Sequence, residues 1–441
     1  MSNTALAFSL FGGMIALMAM RAPISVAMFL PGAVGYWYLA GDSSLINHLK
    51  GAAYARFSLY DLSVIPLFIL MGQFATQGGL SRALFQFANT LVGHFRGGMA
   101  MAAIVACAMF GAVCGSSVAT AATLAQVALP EMRRLNYSGR LSTATLAVGG
   151  TLGILIPPSV PLVVYAILTE QNIAKLFLAA FIPGLIAMFG YCIVIAIVVA
   201  IRPDLGPAQP RHSNVERLKS FLGIWPVVAV FAIVFGGIYS GVFTPTEGAA
   251  VGAAGTFIAA LWRRELDLKG VGRAFLGTAV TTGMIFMVFL GADMLNATLA
   301  LSQVPAQLAN WVTHLGWPPL AIVGGIIVFY IIMGFFMDEL STVILTIPVV
   351  FPAVMALDLW GLGFTDKAIW FGILMLMVVE IGLIHPPVGL NAYVINSLAK
   401  DVPMVETFKG VIPFLISDFL RVILLFLFPA ISLWLVWQLG G

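Results

Sequence analysis

The sequence predicts an all-α polytopic membrane protein built from two inverted-topology repeats. Three observations lead there. Of its 441 residues, 61% are hydrophobic and only 9% charged, against about 25% charged in soluble domains. The apolar runs, many near the roughly 20 residues of a span, occur twice in the same order. Each half then crosses an odd number of times, which turns the second upside down relative to the first. The net charge of +3 does not point to nucleic acid, because the basic residues sit in short loops between apolar runs. Cys107, Cys114 and Cys192 lie inside apolar runs without metal-ligand spacing and read as buried, inert thiols.

In the first repeat (1–201), a span over 5–20 ends at Arg21-Ala-Pro23. It has no basic residue before it and reads as a retained span rather than a cleaved signal. A second span covers 24–39, and an amphipathic surface stretch covers 41–61. A third span covers 62–76, and an amphipathic stretch 80–95. The apolar run over about 97–130 is interrupted halfway by Gly115-Ser116-Ser117, with basic residues at both ends: Arg96 before it, Arg133, Arg134 and Arg140 after it. Positive charge marks the cytoplasmic side, so the run enters, turns and returns as a re-entrant hairpin. A broken span follows over about 141–169, with Gly153 and Ile156-Pro-Pro-Ser159 at its middle, where proline stops a helix. A further span covers 173–201.

Residues 202–220 form a polar cytoplasmic linker, and the order then repeats over 221–441. Spans over 221–242 and 248–262 are separated by Thr244-Pro-Thr-Glu247, where Glu247 caps a helix. A third span covers 275–297, with an amphipathic stretch over 301–315. The second hairpin (about 319–355) is interrupted by Met337-Asp-Glu-Leu-Ser-Thr342. The second broken span (about 368–398) carries Gly382-Leu-Ile-His-Pro-Pro-Val-Gly389, and a last span covers 411–437. The spacing is nearly constant: 222 residues from Pro23 to Pro245 and from Ser116 to Asp338, and 229 from Pro157 to Pro386. Of 21 Lys and Arg, 16 fall in cytoplasmic segments on this topology. Lys50, Arg56, Lys175 and Lys367 fall outside, and Arg421 lies within the last span. Both termini are then periplasmic.

Inverted repeats with broken helices are characteristic of secondary transporters, which place solute and ion at the breaks. Two related cation sites are expected: Ser116 and Ser117 with backbone near Gly153, and Asp338, Ser341 and Thr342 with backbone near Gly382. Thr120, Ser159 and Asn391 are expected to face a polar solute between them. Small residues also let membrane helices pack closely. The site reading rests on their position at a turn repeated in the other half. Asp338 and Glu339 are costly at membrane depth unless they serve a function or reach water. Glu380 lies near a break, as a cation ligand or an internal partner. Asp418 and Arg421 are spaced to meet on one helix face, and His385 reads as a hydrogen-bonded packing residue, with proton coupling as the alternative.

Five motifs in order carry a resemblance over essentially the whole chain: Gly115-Ser116-Ser117-Val-Ala-Thr120, Ile156-Pro-Pro-Ser-Val160, Phe243-Thr-Pro-Thr-Glu247, Gly334-Phe-Phe-Met-Asp338 and Ile381-Gly-Leu-Ile-His-Pro-Pro-Val-Gly-Leu-Asn391. The sequence resembles the large, DctM-like membrane subunit of tripartite ATP-independent periplasmic (TRAP) transporters. The resemblance implies an elevator-type transporter of the ion-transporter superfamily in the bacterial inner membrane. It implies Na+ as coupling ion and an organic acid as solute, by default a C4-dicarboxylate or related carboxylate. It also implies two partners: a periplasmic substrate-binding protein (DctP-like) and a small four-helix membrane subunit (DctQ-like), expected as a separate chain. The hairpins and broken spans would form the transport domain, and the remaining spans the scaffold. His385 stands where many relatives have threonine, and Thr120 where some have aspartate. The alternative is a stand-alone ion-coupled carboxylate carrier that needs no binding protein. No protease or hydrolase motif supports an enzyme: Tyr60-Asp61 lacks a Gly-x-Gly-Asp partner.

Overall fold

The structure is a computed structural model that describes residues 3–440. Among the described residues every regular element is helical. The first repeat runs α1 (Asn3–Ala19), α2 (Ile24–Phe57), α3 (Val64–Gln77), α4 (Leu80–Val92), α5 (Gly98–Cys114), α6 (Ser117–Arg134), α7 (Gly139–Leu155), α8 (Val160–Thr169) and α9 (Ile173–Ile201). The second runs α10 (Asn214–Tyr239), α11 (Pro245–Trp262), α12 (Leu268–Leu301), α13 (Val304–His314), α14 (Pro319–Met333), α15 (Glu339–Met355), α16 (Phe364–Ile384), α17 (Leu390–Leu398), α18 (Met404–Leu427) and α19 (Ala430–Leu439).

The local causes of the breaks lie in the residues. Gly41 (φ 78°) bends α2 midway, where the apolar span gives way to the polar surface stretch. The left-handed Gly79 (φ 66°) turns α3 into α4 through 70°. Gly115 (φ 65°) ends α5, and Ser116 starts α6 by accepting a hydrogen bond from the Ala119 N–H. The left-handed region costs glycine nothing, because it has no Cβ. Both hairpins have arms of 15 to 18 residues. At about 1.5 Å per residue such an arm falls short of the roughly 30 Å hydrocarbon core, as a re-entrant turn requires.

Among the described residues, seven helical segments are long and apolar enough to span a membrane, and the bent α3–α4 pair would make an eighth. The expected spans α1 and α11 fall outside that set, α1 because it has only 17 residues. Exposure separates two classes. α16 is buried from Lys367 to its end and α7–α8 nearly throughout, whereas α2, α9, α10 and α12 bury only about a third or less of the residues in their most apolar stretch. The central pair therefore packs within protein. The others present apolar faces outward, which lipid tolerates because helices satisfy their own backbone.

The two repeats interlock by exchange. α8 packs on α15 and α17 packs on α6, so the second arm of each broken span seats on the other repeat's hairpin. α9 meets α16 while α18 meets α7; α2 meets α12 while α11 meets α3; α4 meets α10 while α13 meets α1. Swapping the repeats turns each pairing into its mate, as a pseudo-two-fold relation demands.

Two boundaries differ from the hydropathy reading. α10 begins at Asn214 rather than near 221, because Ser213 and Glu216 form a reciprocal capping box that starts the helix in polar sequence. The connecting segment before it is strapped to the base of the first hairpin: Gly97 N donates to Gly206 O (2.9 Å), Ser138 N to Leu205 O (3.0 Å) and the Tyr137 hydroxyl to Pro207 O (2.9 Å). The last span is two helices, because Pro429 interrupts it between α18 and α19. Lys367, expected in an outside loop, is instead 7% exposed. Its Nζ donates to the Met355 carbonyl (2.9 Å) and to that of Leu357, capping the C-terminus of α15. Arg56 pairs with Asp293 of α12.

Candidate functional site

Each repeat presses the first arm of its hairpin against the middle of its own broken span, glycine on glycine. A Cβ on Gly111 of α5 would sit 2.6 Å from Gly153 Cα of α7, and one on Gly382 of α16 would sit 2.5 Å from Gly334 Cα at the end of α14. Only the absence of both side chains lets these backbones meet. The consequence is electrostatic. At each contact the C-terminal ends of two helices converge, α5 with α7 and α14 with α16. Such ends carry a partial negative charge that suits a cation. The helices that restart after the breaks, α6, α8, α15 and α17, begin there, and helix N-termini suit an anion.

At the first contact the expected residues come together. A Cβ on Gly153 would lie 2.6 Å from Ser116 O and 2.4 Å from Thr120 Oγ1. Thr120 is fully buried and its hydroxyl has no hydrogen-bond partner. Expected beside a solute, Thr120 thus sits against Gly153, at the first candidate cation site. Ser116 Oγ accepts from Ala119 N at 3.4 Å. Ser117 Oγ accepts from Asn391 Nδ2 at 2.6 Å, and the same amide nitrogen reaches Ala147 O at 3.2 Å. Asn391 therefore crosses from the second repeat to the tip of the first hairpin. Its Oδ1 is buried and unpartnered. Ser159 is buried at the start of α8 and caps it, accepting from Leu162 N at 3.5 Å. The hairpin tip reaches this break as well, because Val160 N donates to Gly115 O at 3.5 Å.

At the second contact, Asp338 is the N-cap of α15 and its carboxylate accepts from Ser341 N at 3.3 Å. Thr342 Oγ1 donates to Asp338 O at 2.9 Å. Ser341 and Thr342 are buried, as is Glu339. Gly382 touches Gly334, four residues before Asp338. Asp338 thus occupies the position of Ser116, and Thr342 that of Thr120. The second tip carries two carboxylates where the first carries only hydroxyls. His385 stacks on Phe335 with ring centroids 4.9 Å apart, a packing role at the break.

Sequence reasoning missed the reach of Asn391 into the other repeat, a tertiary fact with no local signal. It also missed a wide groove of about 980 Å³ between α1, α13, α14 and α15. Its lining is apolar apart from Thr346, whose hydroxyl donates to Thr342 O at 2.7 Å. Apart from that hydroxyl and the indole N–H groups of Trp311 and Trp317 the groove offers an organic anion no side-chain donor and no cation.

Comparison with known proteins agrees with this architecture. The profile described as "Tripartite ATP-independent periplasmic transporter, DctM component" matches residues 11–431. The C4-dicarboxylate TRAP transporter large permease protein DctM of Pseudomonas aeruginosa is 38% identical over 383 residues, covering 86% of this chain and 87% of the relative. The isethionate TRAP transporter permease protein DctMQ of Oleidesulfovibrio alaskensis is 31% identical over 430 residues, covering 96% of this chain and 65% of the relative. The crystal structure of the YdaH transporter of Alcanivorax borkumensis, described as having an unusual topology, matches with a TM-score of 0.65 over 88% of this chain and 89% of that one. At 14% identity that likeness bears on fold alone. Family profile, relatives and fold agree over nearly the full length, and the chain belongs to the DctM family, the large membrane permeases of tripartite ATP-independent periplasmic transporters, which are carriers rather than enzymes.

Proposed function

We propose that this permease carries out sodium-coupled uptake of an organic acid, a C4-dicarboxylate or related carboxylate, by an elevator motion. The observation that carries the proposal is the convergence of four helix breaks in two glycine-on-glycine contacts. In each, paired helix C-termini lie beside hydroxyl or carboxylate oxygens, a donor set that suits a small cation. Ser116, Ser117, Thr120 and the Gly153 backbone would serve one sodium. Asp338, Ser341, Thr342 and the backbone near Gly382 would serve the other. Asn391 and Ser159, with the N-termini of α6 and α8, would take the solute carboxylate. Helices α5–α8 and α14–α17 would move as one body because they interlock. The remaining helices would stay as scaffold.

The anionic solute class is supported by two relatives, one named for C4-dicarboxylates and one for isethionate. In our reading a periplasmic binding protein delivers the acid and a small four-helix subunit packs against the scaffold. Both termini face the periplasm. The test is uptake by proteoliposomes holding the permease and small subunit, with binding protein and labelled dicarboxylate outside. An inward sodium gradient should drive accumulation, and omission of the binding protein should abolish it. Uptake without a sodium gradient would overturn the coupling. Uptake by the permease alone would establish the stand-alone carrier instead.

A further inference from the structure

Behind the two broken spans lies a buried polar cluster that the transport sites do not use. Arg421 of α18 places Nη2 2.9 Å from Asp418 Oδ1 and 3.8 Å from Glu380 Oε2 of α16, with all three side chains 3% exposed or less. Its guanidinium carbon lies 5.6 Å from the centre of the Tyr191 ring of α9, within the range of a cation–π contact. The Tyr191 hydroxyl in turn lies 3.3 Å from Thr151 Oγ1 of α7.

These residues obey the repeat. Thr151 and Glu380 are 229 positions apart, the same offset that relates Gly153 to Gly382. Tyr191 and Arg421 are 230 apart, the offset of Pro183 and Pro413. Each repeat thus ties the back of its broken span to its final span, through a neutral pair in the first and a charged pair in the second. The two ties meet at the Tyr191–Arg421 contact. Two residues along an α-helix turn the side chain by roughly 200°. Thr151 and Glu380 therefore face the cluster while Gly153 and Gly382 face the hairpins, so a tilt of either broken span moves both faces.

We infer that Arg421 is a positioning residue that couples the two cation sites by holding Glu380 and, through Tyr191, Thr151 in a common register. The inference rests on the sodium coupling proposed above. Two carboxylates meet one guanidinium here, and both Glu380 oxygens lack an aligned donor. A buried charge group of this kind is weak evidence for stability, since neutral replacements of similar shape are often neutral or stabilising. Retention for coupling predicts that stability and sodium response separate.

The experiment is sodium-dependent uptake by the complete carrier, unaltered and as the triple variant Glu380→Gln, Asp418→Asn, Arg421→Met, with thermal melting of each. We expect sigmoidal sodium dependence in the unaltered carrier. The triple variant should melt at the same temperature or higher. Its half-saturating sodium should rise at least about fivefold, the lower end of usual coupling between sites, and its Hill coefficient should fall to one. Tyr191→Phe, which leaves the ionic groups in place, should shift both in the same direction by less and serves if the triple variant does not fold. Unchanged sodium curves in the folded variants would overturn the coupling role. Sodium-independent uptake by the unaltered carrier would overturn the underlying proposal and this inference with it.

Discussion

Replacing Gly153 with alanine is the sharpest probe of the first site. The new Cβ would fall 2.4 Å from Thr120 Oγ1, 2.6 Å from Ser116 O and 2.9 Å from Thr120 Cβ, against a preferred separation of about 3.5–4.0 Å. Thr120 is fully buried and Ser116 O belongs to the backbone. Neither yields unless the hairpin tip moves by about 1 Å. Overpacking of this kind costs about 1–3 kcal/mol, which corresponds to about 5- to 150-fold in an equilibrium constant. Displacement opens the proposed cation site, so the cost should appear mainly as a rise in half-saturating sodium, of about 30-fold at the middle of that range. Gly236→Ala in α10 is the control, because no atom lies within 4 Å of its Cβ. Alanine there should stabilise the helix by about 0.5–1 kcal/mol and leave sodium dependence unchanged. The assay is initial uptake over a sodium titration in proteoliposomes, with melting temperatures measured with and without sodium. A Gly153→Ala carrier that matches the unaltered one in both would refute the placement of the site.

The second tip separates charge from capping. Asn caps a helix about as well as Asp, so Asp338→Asn should keep the melting temperature while weakening sodium dependence, and Asp338→Ala should lose about 1 kcal/mol of stability as well; equal sodium curves for Asn and Asp would remove the carboxylate from the site. Asn391→Leu leaves Ser117 Oγ and Ala147 O without their donor, at a cost of about 1–3 kcal/mol for buried groups. It should cut uptake at least tenfold in a carrier that still assembles with its small subunit, and undiminished uptake would count against cross-repeat solute binding. Lys367→Met should lower the melting temperature by uncapping α15 while leaving half-saturating sodium unchanged, and a shifted sodium curve would contradict the purely structural role. The Glu216 carboxyl is held below the ordinary carboxylate range chiefly by the Ser213 N–H, then by the Ser213 hydroxyl. The cap should therefore be intact at neutral pH and lost as pH falls through that lowered value, seen as faster hydrogen exchange at the start of α10.

The sequence made the breaks legible, because the residues that make them act locally. Gly115 followed by Ser116 is a left-handed stop and an N-cap, and Pro157-Pro158 and Pro386-Pro387 stop a helix wherever they occur. Their near-constant spacing exposed the repeat. Hydropathy misplaced the start of α10, where a capping box begins the helix within polar sequence, and ran through Pro429. Beyond local chemistry the reading lost its footing. No local signal announces that Thr120 lies against Gly153, or that Asn391 reaches Ser117 from the opposite repeat. Which half's helix seats on which hairpin is decided by packing between segments at least 170 residues apart, and no window of sequence contains it. Asp418 and Arg421 were legible as a pair from their spacing. Their contact with Tyr191 was not.

The account depends on the two hairpins entering the membrane from opposite faces. Cysteines introduced one at a time at Asn136, beyond the first hairpin, and Thr365, beyond the second, test it directly, since both positions are exposed. A membrane-impermeant thiol reagent added to intact cells should label the cysteine at 365 and not the one at 136, which should react only after the membrane is opened. Labelling of both from the same face would contradict the inverted arrangement.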